Sequence, residues 1–201
     1  MKETLLQYYE NLLPLFARID DLVRQKKHVL IAIDGDCASG KSTLANILCD
    51  VYDGNVIAMD DFFLRPEQRN QERLEAPGGN IDYERFIAEV LQYLRKPERI
   101  PFSYQPFNCQ TMQLDEPISV AIKSLTVIEG SYSHHPLLAD FYDLKVFLSI
   151  PEDIQLKRIL KRNGMPMYER FTKEWIPMEK KYASAFKIKE HSDLHFDYLD
   201  F

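Results

Sequence analysis

Short unbroken apolar runs alternate along this chain with stretches whose apolar residues return every third or fourth position. His28-Val29-Leu30-Ile31-Ala32-Ile33 is the first such run and suits a strand buried on both faces. Before it, Leu5, Leu6, Tyr8, Tyr9, Leu12, Leu13, Phe16, Ile19, Leu22 and Val23 have helical spacing, which predicts an amphipathic helix within residues 1–27, bent at Pro14. After it, Leu44, Ile47, Leu48 and Val51 mark a helix over 42–51. Val56-Ile57-Ala58-Met59, Leu125-Thr126-Val127-Ile128 and the run over 144–150 repeat the strand pattern. Phe86, Ile87, Val90, Leu91 and Leu94 predict a helix capped by Asp82 and stopped before Pro97. Another helix starts at Pro151, carries Ile154, Ile159 and Leu160, and stops at Asn163-Gly164. Trp175, Met178, Tyr182 and Phe186 predict a further one over 168–187 with a bend at Pro177, and residues 192–197 a last edge strand.

Two stretches break the alternation. Residues 64–80 are polar with no period and predict a mobile loop ending at Pro77-Gly78-Gly79; residues 100–122 look like a small excursion from the core with one strand at 118–122. The alternation elsewhere predicts a parallel-sheet α/β fold that binds ligands at the C-terminal ends of its strands.

The turn after the first strand gives that fold its chemistry. Gly35-Asp36-Cys37-Ala38-Ser39-Gly40-Lys41-Ser42 fits G-x-x-x-x-G-K-[ST] between a buried strand and a helix that continues with Thr43, the context in which this pattern is a phosphate-binding loop. Its backbone N–H groups and the helix N-terminus would receive a phosphate chain, Lys41 the β/γ-phosphates, and the Ser42 hydroxyl a magnesium ion. The fold is thereby specified as the three-layer fold of P-loop nucleoside-triphosphate hydrolases, one domain over 1–201 with a helical lid near 158–172.

Length and composition agree with one globular domain: 201 residues, 45% hydrophobic and 28% charged. A net charge of −6 argues against backbone binding to nucleic acid, and no apolar stretch approaches a membrane span. Cys37, Cys49 and Cys109 lack metal-site spacing and suit free thiols, so a cytoplasmic protein is expected; Cys37 reads as a small loop residue rather than an acidified thiol. Self-association is left open.

Phosphoryl transfer needs a phosphate cradle, magnesium, a base and movable positive charge. Asp60 ends the strand after the phosphate-loop helix and is the candidate base, with its neighbour Asp61 as the alternative; Glu129 ends the next core strand and is placed to hold magnesium with Ser42. Arg158 and Arg162 share a helix face, and with Arg170 they supply the lid charge, free to swing about Asn163-Gly164. The Asn-Lys-x-Asp signature of GTP recognition is missing, so ATP is the expected nucleotide.

The loop, Met59-Asp60-Asp61-Phe62-Phe63, Gly79-Asn80-Ile81-Asp82-Tyr83-Glu84-Arg85-Phe86 and Val127-Ile128-Glu129-Gly130, in this order, resemble the uridine kinase and phosphoribulokinase branch of P-loop kinases over nearly the whole chain after about residue 26. The resemblance implies Asp60 as base, Asp82 as the group that holds ribose hydroxyls, Glu129 at the metal, and Arg158, Arg162 and Arg170 in the lid. The family's Tyr-Asp-Phe segment with a following His is represented by Tyr104-Gln105-Pro106-Phe107-Asn108, with Tyr104 kept and the His absent. The expected activity is that of an ATP- and Mg2+-dependent kinase of a small molecule, first a nucleoside. The alternatives are pantothenate or another sugar-bearing alcohol as acceptor, or a P-loop ATPase that regulates a partner.

Overall fold

A computed structural model describes residues 2–199. The side chains of residues 2–9, and with them Leu5, Leu6, Tyr8 and Tyr9 of the expected apolar stripe, lie outside the described residues. Helix α1 (Lys2–Gln25) runs on through Pro14 and leads to strand β1 (Val29–Gly35), in which every residue is buried. The phosphate loop and α2 (Lys41–Tyr52) follow, then β2 (Gly54–Ala58). Beyond a capped and kinked stretch come β3 (Phe102–Tyr104), β4 (Phe107–Asn108), β5 (Gln113–Leu114) and β6 (Ile118–Val120), which pair antiparallel as β3 with β6 and β4 with β5. This is the expected excursion.

Strands β7 (Leu125–Glu129), β8 (Leu144–Leu148) and β9 (Leu194–Phe196) complete a five-stranded sheet in the order β2-β7-β1-β8-β9, parallel throughout. Alternation along β1 divides the core. Val29, Ile31 and Ile33 pack with Leu12, Leu15 and Ile19 of α1 and with Leu44 and Leu48 of α2, while Leu30 faces the opposite layer with Ile57, Phe86, Val90 and Tyr182. Helices therefore cover both faces, as a parallel sheet requires.

Several local expectations are corrected. Residues 64–80 are not a featureless loop: they form a 3₁₀ turn at Pro66–Gln68 and a short helix α3 (Gln71–Glu75), whose Asn70 cap accepts the Arg73 N–H. Arg73 also ties the segment to the Gly79 and Ile81 carbonyls and to Glu84, so side-chain bonds supply the order that apolar periodicity does not. Asp60 and Asp61 stand in a 3₁₀ turn, Met59–Phe62, rather than on extended chain. The helix opened by Asp82 is α4 (Tyr83–Phe86), a π-helical turn at Ile87–Leu91 and α5 (Gln92–Leu94), and a short α6 (Pro136–Ala139) precedes β8.

The segment expected as a lid departs most. Helix α7 (Glu152–Arg170) does not stop at Asn163-Gly164 but breaks there, Gly164 taking φ 74 and ψ 176 within an otherwise helical run. A π-helical turn (Phe171–Trp175) joins it to α8 (Ile176–Ala185), so the second irregularity comes before Pro177, which occupies the first turn of α8 where its missing N–H is harmless.

Candidate functional site

The loop begins where β1 meets β8. Asp36 N–H donates to the Leu148 carbonyl at 3.0 Å, and a Cβ at Gly35, whose φ is +142, would collide with that carbonyl, so only glycine can open the loop there. Gly40, at φ 104, turns the chain into α2. Lys41 Nζ donates to the Gly35 and Asp36 carbonyls at 2.9 and 2.8 Å, which holds the ammonium across the loop. Ser39 is buried with an Oγ that has no hydrogen-bond partner, a spare polar group inside the loop.

Carboxylates gather around Lys41. Ser42 Oγ donates to Glu129 Oε1 at 3.1 Å, so the two expected magnesium groups are in contact. Among the described residues no three His, Cys, Asp or Glu cluster as a metal cage. That donor set suits magnesium, which takes one or two protein groups and completes its shell with phosphate oxygens and water. Burial raises the Glu129 pKa, offset by Lys41 and the Ser42 bond. Asp60 is open to water along one side, yet protein surrounds it closely enough that desolvation raises its pKa, while the charges of Lys41 and Arg162 pull it down. Lys41 and Arg162 thereby both act on Asp60.

Asp61 points elsewhere. Its Oδ2 accepts the Tyr104 hydroxyl at 2.8 Å, and its backbone carbonyl accepts from Arg85 at 2.7 Å. Tyr104 is thus bound to the neighbour of the candidate base. Asp82 is 1% exposed and caps α4, accepting the Arg85 N–H at 3.0 Å. Its Oδ2 has no hydrogen-bond partner and lies 3.7 Å from the Nε atoms of both Arg65 and Arg85.

The arginines divide. Arg162 donates from Nε to Asn163 Oδ1 at 2.8 Å, and its charge lowers the Asp60 pKa without a direct contact. Arg158 donates to the Ala38 carbonyl at 3.1 Å and to Leu199, placing it against the phosphate loop. Arg170 instead pairs with Glu174 at 3.2 Å and lies over the Trp175 ring. Below them Ile159, Phe171 and Ile176 pack on Cys37 and Ala38, so the segment expected as a lid rests directly on the loop. Burial and Glu179 push the Cys37 thiol up to about 12, in keeping with an inert packing residue.

Sequence patterns do not reveal two further groups. Asp34, 1% exposed at the end of β1, accepts from the backbone N–H of Gly35, Tyr132 and His134 and from the Tyr182 hydroxyl at 2.8 Å. It binds the loop's first residue to the turn after β7 and to α8. Glu179 of α8 reaches the loop itself, accepting the Cys37 N–H at 3.0 Å. Asp34 carries a weak signal, a carboxylate closing an apolar strand; Glu179 carries none, being one of many acidic residues on a polar helix.

Strand, phosphate loop and helix at the centre of a parallel sheet, with acidic groups at the ends of β2 and β7, define a P-loop fold of the kinase type. Known proteins of similar sequence and fold agree. The chain is 26% identical over 150 residues to a uridine kinase of Lactococcus lactis, covering 69% of this chain and 70% of that protein. A possible uridine kinase from Bacillus stearothermophilus superposes with a TM-score of 0.61 at 20% identity, over 92% of this chain and 100% of that one. Phosphoribulokinase from Rhodobacter spheroides gives 0.57 at 14%, over 85% and 70%. No protein-family model matches. The chain is thus similar, in sequence and in fold, to the uridine kinase and phosphoribulokinase branch of P-loop kinases.

Two predictions arise from this geometry. Trp175 contacts Phe171 edge-on, with ring centroids 4.4 Å apart, and the Arg170 guanidinium, 5.0 Å from its ring centroid, so any rearrangement of the lid changes its surroundings. Its emission is expected to shift when ATP and acceptor bind, and to shift less in Arg162→Ala. A spectrum unchanged at saturation would show that this segment does not close. For Asp82, loss of the cap in Asp82→Ala is expected to destabilise the protein by at least ~1 kcal/mol, because Arg65 and Arg85 also lose their shared carboxylate. Asp82→Asn keeps a capping oxygen, so its melting temperature and acceptor KM together separate a cap from an acceptor contact.

Proposed function

We propose that this chain is an ATP-dependent kinase that moves the γ-phosphoryl group to a hydroxyl of a small metabolite, with a nucleoside as the first candidate. The observation that carries the reading is the Ser42–Glu129 contact beside a Lys41 held across the loop, with Asp60 two residues past the Ala58 that pairs with Glu129. In this reading Asp60 takes the acceptor's hydroxyl proton as the oxygen attacks the γ-phosphorus. Lys41 and Arg162 stabilise the charge on the equatorial oxygens, and ADP leaves with the bridging oxygen's electrons. Magnesium, held by Ser42 and Glu129, would neutralise the phosphate chain. Asp61 stays bound to Tyr104, which leaves Asp60 as the free carboxylate.

The nucleoside assignment rests on the relatives and on Asp82. Both the cytoplasmic location and the lack of a macromolecular partner belong to the same proposal. The test is ATP consumption measured against a panel of nucleosides, pantothenate and sugar-bearing alcohols. A nucleoside that raises consumption and appears as its monophosphate supports the reading in full. Stimulation by another alcohol alone moves the acceptor, and consumption indifferent to every compound leaves a P-loop ATPase.

A further inference from the structure

One anion at the phosphate loop has no part in the phosphoryl transfer assigned to Asp60, Lys41 and Arg162. Glu179 accepts the Cys37 N–H at 3.0 Å through Oε2 and the Ser131 hydroxyl at 2.9 Å through Oε1, so both carboxylate oxygens are engaged. Ser131 Oγ also lies 3.2 Å from the Gly35 carbonyl, the same carbonyl that Lys41 Nζ engages at 2.9 Å. Glu179, Ser131 and Lys41 therefore meet at one end of the loop. The charge of Lys41 acts on Glu179, alongside the bonds from Ser131 and Cys37, all against the burial that raises its pKa. In a phosphate loop the backbone N–H groups form the concavity that receives phosphate oxygens. One backbone N–H of this loop, that of Cys37, is held here by a carboxylate oxygen of the protein itself.

Building on the kinase reading, we propose that Glu179 sets how strongly the loop distinguishes a nucleoside triphosphate from a diphosphate. Its carboxylate competes with the terminal phosphate for the Cys37 N–H and for the field of Lys41. The terminal phosphate is the competitor because Lys41 is the side chain that meets the β/γ end of the chain, and Glu179 is tied to that end through Ser131 and Gly35. A diphosphate is shorter by that group and meets less of the competition. Because α8 continues directly from the π-helical turn below the lid, the competing carboxylate is attached to the lid's root and not to the loop.

Calorimetric dissociation constants for Mg-ATP and Mg-ADP in the wild-type protein, Glu179→Gln and Glu179→Ala test this. Glutamine can keep the arrangement, Oε1 accepting from Cys37 and Nε2 donating to Ser131 Oγ while that hydroxyl donates to Gly35; only the charge is removed. Glu179→Gln is expected to tighten ATP about tenfold, the scale of one charged hydrogen bond, and ADP less than about twofold. Glu179→Ala should change the two nucleotides in the same unequal way. Equal shifts for both, or weaker ATP binding by the glutamine variant, would overturn the inference and leave the loop assignment standing. Wild-type protein that binds neither nucleotide would remove the loop assignment, and this inference with it.

Discussion

Lys41→Ala is expected to lower turnover at least ~1000-fold while the protein remains folded. The ammonium is the positive group shared by the loop's acidic surroundings: its charge acts on Asp36, Asp60, Glu129 and Glu179. Removing it takes away the contact to the transferring phosphate. It also leaves four carboxyl groups facing a polyanion with one fewer cation, so nucleotide binding weakens as well as chemistry. The structural cost is of another kind: Lys41 gives up two charge-assisted hydrogen bonds to loop carbonyls, each worth roughly 1.5–3 kcal/mol before those carbonyls regain water. Steady-state kinetics and a melting curve on the same preparation check both halves, and near wild-type turnover in this variant would dismiss the phosphate-loop mechanism.

Asp60→Asn should cost at least ~100-fold in turnover with ATP affinity retained, the usual scale for loss of a general base. The amide is nearly the same shape but cannot take the acceptor's proton. Asp61→Asn serves as the contrast, because its oxygen can still accept the Tyr104 hydroxyl and its effect should be far smaller. The pH profile adds a second measure. Desolvation raises the Asp60 pKa, so as pH falls the carboxylate is lost at a higher pH than for an ordinary aspartate, and the acid limb of kcat/KM should lie above that range. Should Asp61→Asn carry the defect and Asp60→Asn not, the roles of the two neighbours are reversed.

The range of each interaction decides whether it can be seen in the sequence. The phosphate loop was fully legible because its strand, turn and helix lie within residues 29–52, each with its own local pattern. The parallel sheet, the excursion and the last edge strand were legible for the same reason. Asp60 could not be separated from Asp61 in the sequence, since the 3₁₀ turn and the Tyr104 bond, 43 residues away, decide which carboxylate is free. The order in residues 64–80 was hidden because Arg73 creates it through polar bonds that leave no period. Gly164 was visible as a break, but whether a helix resumes beyond it depends on packing against the loop. Asp34 showed only as a carboxylate closing an apolar strand and Glu179 not at all, their partners lying as far as 148 and 142 residues along the chain.

The order of the central sheet also constrains how the chain can assemble. Its neighbours β2 and β7, β1 and β7, β1 and β8, and β8 and β9 are each separated by a long stretch of chain, and none is joined by a tight turn. Every pairing must close a large loop before it gains hydrogen bonds, which makes such sheets slow to nucleate. As the chain leaves the ribosome, β1 and β2 remain without strand partners until β7, at residues 125–129, has emerged between them. The phosphate loop, which is the most local feature of the sequence, is thus among the later features to acquire its working shape, because the strand that launches it waits for partners on both sides.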